Sequence, residues 1–99
     1  MTVVGAGGVV IARWQMSRRF RKDYARLSNE GRARVDEKLK DLAKNPRPSG
    51  LRFEKLKGYS DPDVYTVHIT GGTKLSMSIE GSTATLRRVA SHDEIDRAP

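Results

Sequence analysis

The C-terminal half of the chain alternates regularly between apolar and polar residues, and this pattern constrains the fold more than any other feature of the sequence. The apolar positions are Tyr65, Val67 and Ile69 in one segment and Leu75, Met77 and Ile79 in the next. Because successive side chains of a β-strand point to opposite faces, each segment is predicted to be a strand with one buried and one solvent-exposed face.

A third strand is predicted at residues 83–90, following directly on the second. Gly71-Gly72 and Gly81-Ser82 fall between the strands, where tight hairpin turns need residues that tolerate positive φ. The alternation slips by one position at Arg87-Arg88, which predicts a β-bulge there. The three strands would form an antiparallel meander.

The polar face of this meander is the predicted functional surface. It carries His68, Lys74 and Arg87, with His92 just beyond the bulge, and its larger side chains are mostly cationic. Alternation by itself predicts polarity but not one sign of charge, so a merely solvated face remains the alternative interpretation.

The N-terminal half predicts one strand followed by two helices. Residues 1–8 are a glycine-rich lead-in, and residues 9–16 form a strand with Val10, Ala12, Trp14 and Met16 on its apolar face. Ser17 caps a first helix to about Leu27, and Ser28 or Asn29 caps a second helix that Asn45-Pro46 ends near Lys44.

These elements predict one α+β domain over residues 1–99. The helices form a hairpin that covers the apolar face of an antiparallel, mixed-edge, four-stranded sheet, in the order β-α-α-β-β-β. Residues 51–58 are interpreted as a basic connector, in which Leu51 and Phe53 anchor the chain while Arg52, Lys55 and Lys57 face outward beside the polar face.

Composition narrows the classes of function. The chain has 99 residues and no cysteine, which excludes a disulfide scaffold and thiol catalysis. Two histidines without a carboxylate cluster predict no metal site and no cofactor. The net charge of +7 predicts an anionic partner, and nucleic acid fits better than a membrane. Without a recognisable leader or an apolar span, we expect a cytoplasmic protein.

The ordered motifs resemble the RelE/ParE superfamily of toxins from toxin-antitoxin pairs, including YoeB-like members. The matching segments, spread over residues 13–96, are Pro46, Glu54-Lys55-Leu56-Lys57-Gly58, Tyr65, Gly72-Thr73-Lys74-Leu75 and Val89-Ala90-Ser91-His92-Asp93-Glu94. The RelE branch implies a ribosome-dependent, metal-independent endoribonuclease that cleaves mRNA and is silenced by a cognate acidic antitoxin. The antitoxin complex also implies operator DNA as a partner.

The resemblance implies catalytic roles for Lys55, Lys57, Lys74 and His92, with Glu54 as a possible base, and RNA-binding roles for Arg52, His68, Arg87 and Arg88. Attack of a 2′-hydroxyl on the adjacent phosphate requires a base, a cation for the extra negative charge, and an acid for the leaving oxygen. Lys74 and Arg87 would supply fixed charge, and His92 titrates in the useful range.

Two other functions stay open. A ParE-like protein would inhibit DNA gyrase without catalysis, and a catalytically weakened toxin would act as a binding module with its antitoxin on operator DNA. The second alternative has its own sequence support, since no aromatic residue stands near Ile95-Asp96, where many active relatives have a tyrosine.

Overall fold

The computed structural model describes residues 10–44, 47–48, 51–60 and 62–99. Along the chain the elements are β1 (Arg13–Met16), α1 (Arg18–Arg26), α2 (Asn29–Leu42), β2 (Glu54–Ser60), β3 (Asp63–His68), β4 (Thr73–Glu80), β5 (Thr83–Ser91) and α3 (His92–Arg97). The α+β class and the order of the predicted elements are confirmed. The predicted lead-in at residues 1–8 and the helix stop at Asn45-Pro46 lie outside the described residues.

The sheet has five strands in the order β1-β5-β4-β3-β2, so the prediction of four strands was wrong. β1 runs parallel to β5, and the other neighbours are antiparallel. The additional strand is β2, which was interpreted as a connector. Its register with β3 is interrupted between Lys55 and Ser60, and this irregularity removes the period of two that identifies a strand in sequence.

Both long helices begin at the predicted caps. The N–H of Phe20 donates to Ser17 Oγ at 3.0 Å, and the N–H of Gly31 donates to Ser28 Oγ at 3.0 Å. The helices contribute Phe20, Val35 and Leu42 to a core that also contains the predicted apolar face of β3 and β4. The helical hairpin therefore covers that face of the sheet.

The first strand is shorter than predicted and its apolar residues are not buried. It spans Arg13–Met16, and Val10, Trp14 and Met16 are 67%, 37% and 50% exposed, while Ile11 is the residue that packs against the core. β1 is an edge strand with only four residues. Period-two hydrophobicity identified the strand but not which of its sides the helices would reach.

The predicted bulge and one of the two predicted turns with a positive-φ glycine are confirmed. The bulge at Arg87-Arg88 is confirmed, because Ser76 pairs with Arg88 while the next residue, Met77, pairs with Leu86. Gly81 has φ of 60°, as its turn requires, but Gly71 and Gly72 do not adopt positive φ.

The second face of the sheet is less exposed than predicted. Thr66, Ser76 and Ser78 are only 1%, 0% and 8% exposed. Part of the cover is α3, which packs against β4 and β5 and buries Ile95 completely. This helix was not predicted; it begins at His92, because Ser91 caps it by accepting the N–H of Glu94 at 3.3 Å.

Candidate functional site

Three of the predicted site residues meet on the second face of the sheet. His68 and Lys74 are directly paired at the end of the β3–β4 hairpin. α3 brings in His92, whose ring centroid lies 4.7 Å from that of His68 with the ring planes nearly perpendicular. The N–H of His92 also donates to the Gly72 carbonyl at 3.2 Å, which fixes the start of α3 against the turn. We call His68, Lys74 and His92 the histidine cluster.

Two more predicted residues act on the histidine cluster through charge. Burial lowers the pKa of His68, and the positive charges of Arg52, His92 and Lys74 lower it further, while Glu54 opposes them. Glu54 pairs with Thr66 in the sheet, which places it on the same face as His68. His68 is therefore neutral at pH 7 and able to accept a proton.

The backbone of Arg52 is strained. Its φ is 55°, in the left-handed region, and no other non-glycine residue in the described part of the chain has a positive φ. Such conformations are uncommon outside glycine and cluster at functional sites. The strain therefore falls on a residue whose charge acts on His68.

Lys74 is held by an acidic residue that the sequence analysis missed. Its Nζ lies 2.9 Å from Asp96 Oδ1 in α3, and the side chains are 14% and 56% exposed. The hydrogen bond from Lys74 is the main cause that lowers the pKa of Asp96. Asp96 thus remains ionised and offsets the charge of the lysine. No motif indicated this pair, because only the formation of α3 brings position 96 back to β4.

Two polar atoms near the histidine cluster are buried without a hydrogen-bond partner: His92 Nε2 and Ser76 Oγ. Buried unsatisfied groups are uncommon in folded proteins and often mark functional positions. Because His92 Nε2 is enclosed, it is not a ring nitrogen that a substrate can contact directly.

Lys55 does not join the histidine cluster, contrary to the expected convergence of Lys55, Lys74 and His92. It pairs with Tyr65, whose ring stacks on Phe53 at 5.3 Å on the helix-covered side, so alternation directs Lys55 to that side. There it forms an ion pair with Asp63 at 3.4 Å. Lys57 lines a surface cleft with Lys55 at the irregular part of β2. The connector motif was read correctly as basic, but its pairing as a strand decides where the charge points.

The two bulge arginines have different surroundings. Arg88 Nε lies 3.2 Å from Asp23 Oδ2 and its Nη2 lies 3.3 Å from Glu94 Oε2, so Arg88 connects α1, β5 and α3. Asp23 also accepts the N–H of Val89 at 3.2 Å. Val89 lies in the part of β5 beyond Leu86, where β1 no longer pairs with it. Among the described residues Arg87 has no carboxylate within ion-pair distance. Arg88 is therefore largely structural, whereas Arg87 is available to a ligand.

Solved structures provide the decisive comparison for the fold. A chain of the RelB–RelE antitoxin–toxin complex from Methanococcus jannaschii matches with a TM-score of 0.66 and 24% identity, over 86% of this chain and 99% of that chain. The chain has the RelE fold.

Two further structures with this RelE fold belong to differently named toxins. A chain of the DinJ–YafQ toxin-antitoxin complex from E. coli matches with a TM-score of 0.67 and 18% identity, over 86% of this chain and 98% of that chain. The YoeB dimer from Staphylococcus aureus matches with a TM-score of 0.64 and 19% identity, over 81% and 95%. No protein-family model and no curated protein sequence matches the chain. The resemblance noted from the motifs is thus confirmed at the level of the fold.

Within the ranges that the structure describes, no group of three or more histidine, cysteine or acidic residues could hold a metal ion. No described helix is long and apolar enough to cross a membrane.

Proposed function

We propose that this RelE-fold protein is the toxin of a type II toxin-antitoxin pair and cleaves mRNA on the ribosome without a metal ion. The observation that supports this most is the histidine cluster, which combines a neutral imidazole, a second imidazole and a lysine on one face of the sheet.

His68 is the proposed general base. Its lowered pKa keeps it unprotonated at neutral pH, so it can take the proton from the 2′-hydroxyl as that oxygen attacks the adjacent phosphorus. The P–O bond to the 5′-oxygen then breaks, leaving a 2′,3′-cyclic phosphate and a 5′-hydroxyl. This assigns to His68 the role that the sequence suggested for Glu54.

Lys74 is the proposed stabiliser of the negative charge that develops on the phosphate oxygens. Removing one pre-positioned donor that stabilises such developing charge typically costs about 10²–10³-fold in rate. The pair with Asp96 fixes the ammonium in place before substrate binds. His92, in edge contact with His68, is the proposed proton donor to the leaving 5′-oxygen, through Nδ1 because Nε2 is enclosed.

The proposed antitoxin is an acidic segment that orders on binding. Two of the structures with this fold are complexes of a toxin with its antitoxin. The net charge of +7 favours an acidic partner here as well. Operator DNA would be contacted through that complex.

The test is induction of the chain alone in bacteria, with protein and DNA synthesis followed separately by pulse labelling. We expect protein synthesis to stop first, and mRNA fragments with cyclic phosphate ends to accumulate on ribosomes. His68→Ala should abolish cleavage, while Glu54→Gln should reduce it less. Growth and intact mRNA after induction of wild-type protein would reject the proposal.

A binding protein without catalysis is the second candidate, and the ion pairs of α3 favour it. Asp96 forms an ion pair with Lys74, and Glu94 forms one with Arg88. Two cations that could otherwise bind a phosphate are therefore already paired. Loss of DNA synthesis with filamentation would indicate a gyrase inhibitor. Absence of any toxicity, together with operator binding alongside the antitoxin, would indicate a binding module.

A further inference from the structure

A basic cleft lies on the same face of the sheet as the histidine cluster, beside the start of α1. Its volume is about 470 Å³. The residues that matter in its lining are Ser17, Arg19, Ser78, Thr85, Arg87 and Arg88. We call it the arginine cleft. Ser78 and Thr85 are paired across β4 and β5, and both alternate with core residues, so their side chains belong to the second face.

The charge available in the arginine cleft comes from Arg87 and Arg19. Arg87 has no carboxylate within ion-pair distance in the described ranges. Arg19 lies 3.6 Å from Asp23, but its side chain is 61% exposed and Asp23 is already engaged by Arg88. Both guanidinium groups can therefore donate hydrogen bonds to a bound anion. An arginine fork suits the oxygens of a phosphate group.

The hydrogen bonds that the hydroxyl groups of the arginine cleft already make decide which of them can bind a ligand. Ser17 Oγ is committed, since it donates to the Arg87 carbonyl at 2.9 Å and accepts from the N–H of Phe20. Thr85 Oγ1 bonds to Gln15 Oε1 at 3.3 Å. Ser78 is 8% exposed, and its hydroxyl has no partner among the described residues. It is the hydroxyl that remains free to donate to a ligand.

Helix α1 adds a further attraction for anions. Its N-terminal end begins at Ser17 on the wall of the arginine cleft, and its first turn contains no acidic residue. The positive end of a helix dipole favours negative charge, which an acidic side chain in the first turn usually supplies. Here arginines occupy those positions, so the positive potential is not offset locally.

We propose that the arginine cleft binds a backbone phosphate of single-stranded RNA, separate from the phosphate that reacts at the histidine cluster. Ser78 lies four positions after Lys74 in β4, a distance of about 13 Å along a strand. One RNA strand long enough to span that distance would reach both places. The inference deepens the proposed function, on which it rests, by adding Arg19, Ser78 and Arg87 to the path of the RNA.

The experiment measures binding without cleavage. A fluorescent 12-nucleotide RNA with 2′-O-methyl groups at every position lacks the attacking hydroxyl, and its affinity is measured by anisotropy at several salt concentrations. We expect Arg87→Ala and Arg19→Ala each to weaken binding about 3–10-fold. Each should also reduce the slope of log K against log salt by about 0.7, the value for one phosphate contact on a single strand.

Two variants serve as controls. Arg34→Ala removes an equally exposed arginine, 56% against 61% for Arg19, from α2 on the other side of the sheet, and should leave the slope unchanged. Arg87→Lys keeps the charge and should keep most of the slope. Circular dichroism and thermal melting establish that each variant is folded.

The result separates this inference from the proposed function. If Arg87→Ala and Arg34→Ala change binding equally, or the wild-type protein does not bind the RNA, the arginine cleft is not a phosphate site, whatever the cleavage assay shows. If the slope falls only for Arg87→Ala and Arg19→Ala while unmodified mRNA stays intact, the cleft is supported and the nuclease function is rejected.

Discussion

The two faces of the sheet are both largely buried, but they are buried in different ways. The face under the helical hairpin is filled by apolar side chains such as Leu75 and Met77, each 0% exposed. The second face buries small hydroxyl residues such as Ser76, and its cations are held by carboxylates of α3. One face stabilises the fold through apolar burial, and the other holds polar groups whose hydrogen bonds are incomplete. The exposed fraction of the residues therefore does not identify the functional face. Buried polar atoms without hydrogen-bond partners do.

The largest difference between the faces should appear in stability. Met77→Ala removes a fully buried core side chain and should lower the free energy of unfolding by about 2–5 kcal/mol. Its neighbour Ser76→Ala, equally buried, removes a hydroxyl without a partner and should be neutral or slightly stabilising. Urea denaturation of both variants measures the contrast. Equal losses would show that the Ser76 hydroxyl is bonded and that the faces do not differ in this way.

The next contrast concerns activity and sets Lys74 against Lys55. Lys74→Ala should reduce RNA cleavage by about 10²–10³-fold, because it removes the cation of the histidine cluster. Lys55 points to the opposite side and forms an ion pair with Asp63, with side chains 52% and 33% exposed. Such pairs contribute less than about 1 kcal/mol to stability, so Lys55→Ala should leave the fold intact. Because Lys55 lies outside the histidine cluster, the rate should change far less than for Lys74→Ala. Equal losses of cleavage activity in the two variants would favour the prediction from the sequence motif over the placement of Lys55 in the structure.

A smaller effect is expected from the carboxylates of α3. Asp96→Asn removes the charge that offsets Lys74 and should raise RNA affinity by up to about fivefold, in line with a partly exposed pair. Asp93→Asn is the matched control, since its side chain lies in the same turn and has no ion-pair partner in the part of the chain that is described. An equal gain for both variants would mean that only net charge matters.

The smallest effect is a pH dependence of stability from His68. Its pKa is lower in the folded protein than the ordinary 6.5, so the unfolded chain binds the proton more readily. Stability from this group is fully present above pH 6.5 and is lost as the pH falls toward the folded pKa. Thermal melts between pH 5 and 8 should show this slope in wild type, and His68→Gln should flatten it. A slope that survives the substitution would assign it to another group.

Much of the architecture was predictable from local chemistry. Ser17 and Ser28 cap the helices as expected, and the slip at Arg87-Arg88 is a bulge. These features depend on residues close together in the chain, where propensity and periodicity act directly. β2 was missed because its broken register hides the alternation. The exposure of Trp14 and Met16 was missed because it depends on how far the helices extend.

The candidate site was only partly predictable, for the same reason. His68 and Lys74 were found because they lie on one face of adjacent strands, and strand alternation predicts that directly. Asp96 and Asp23 were missed because each reaches its partner only after a helix has packed. Lys55 was expected beside Lys74 because a basic motif carries no information about the face to which a strand directs it.

The sequence by itself determined the meander of β3, β4 and β5, the helical hairpin and the position of His68 beside Lys74, because short-range periodicity and capping specify them. The tertiary structure alone decided that α3 covers the second face, that its carboxylates hold Lys74 and Arg88, and that Lys55 faces away. Those outcomes depend on contacts between residues distant in sequence, which form only when the apolar face and Ile95 are buried together.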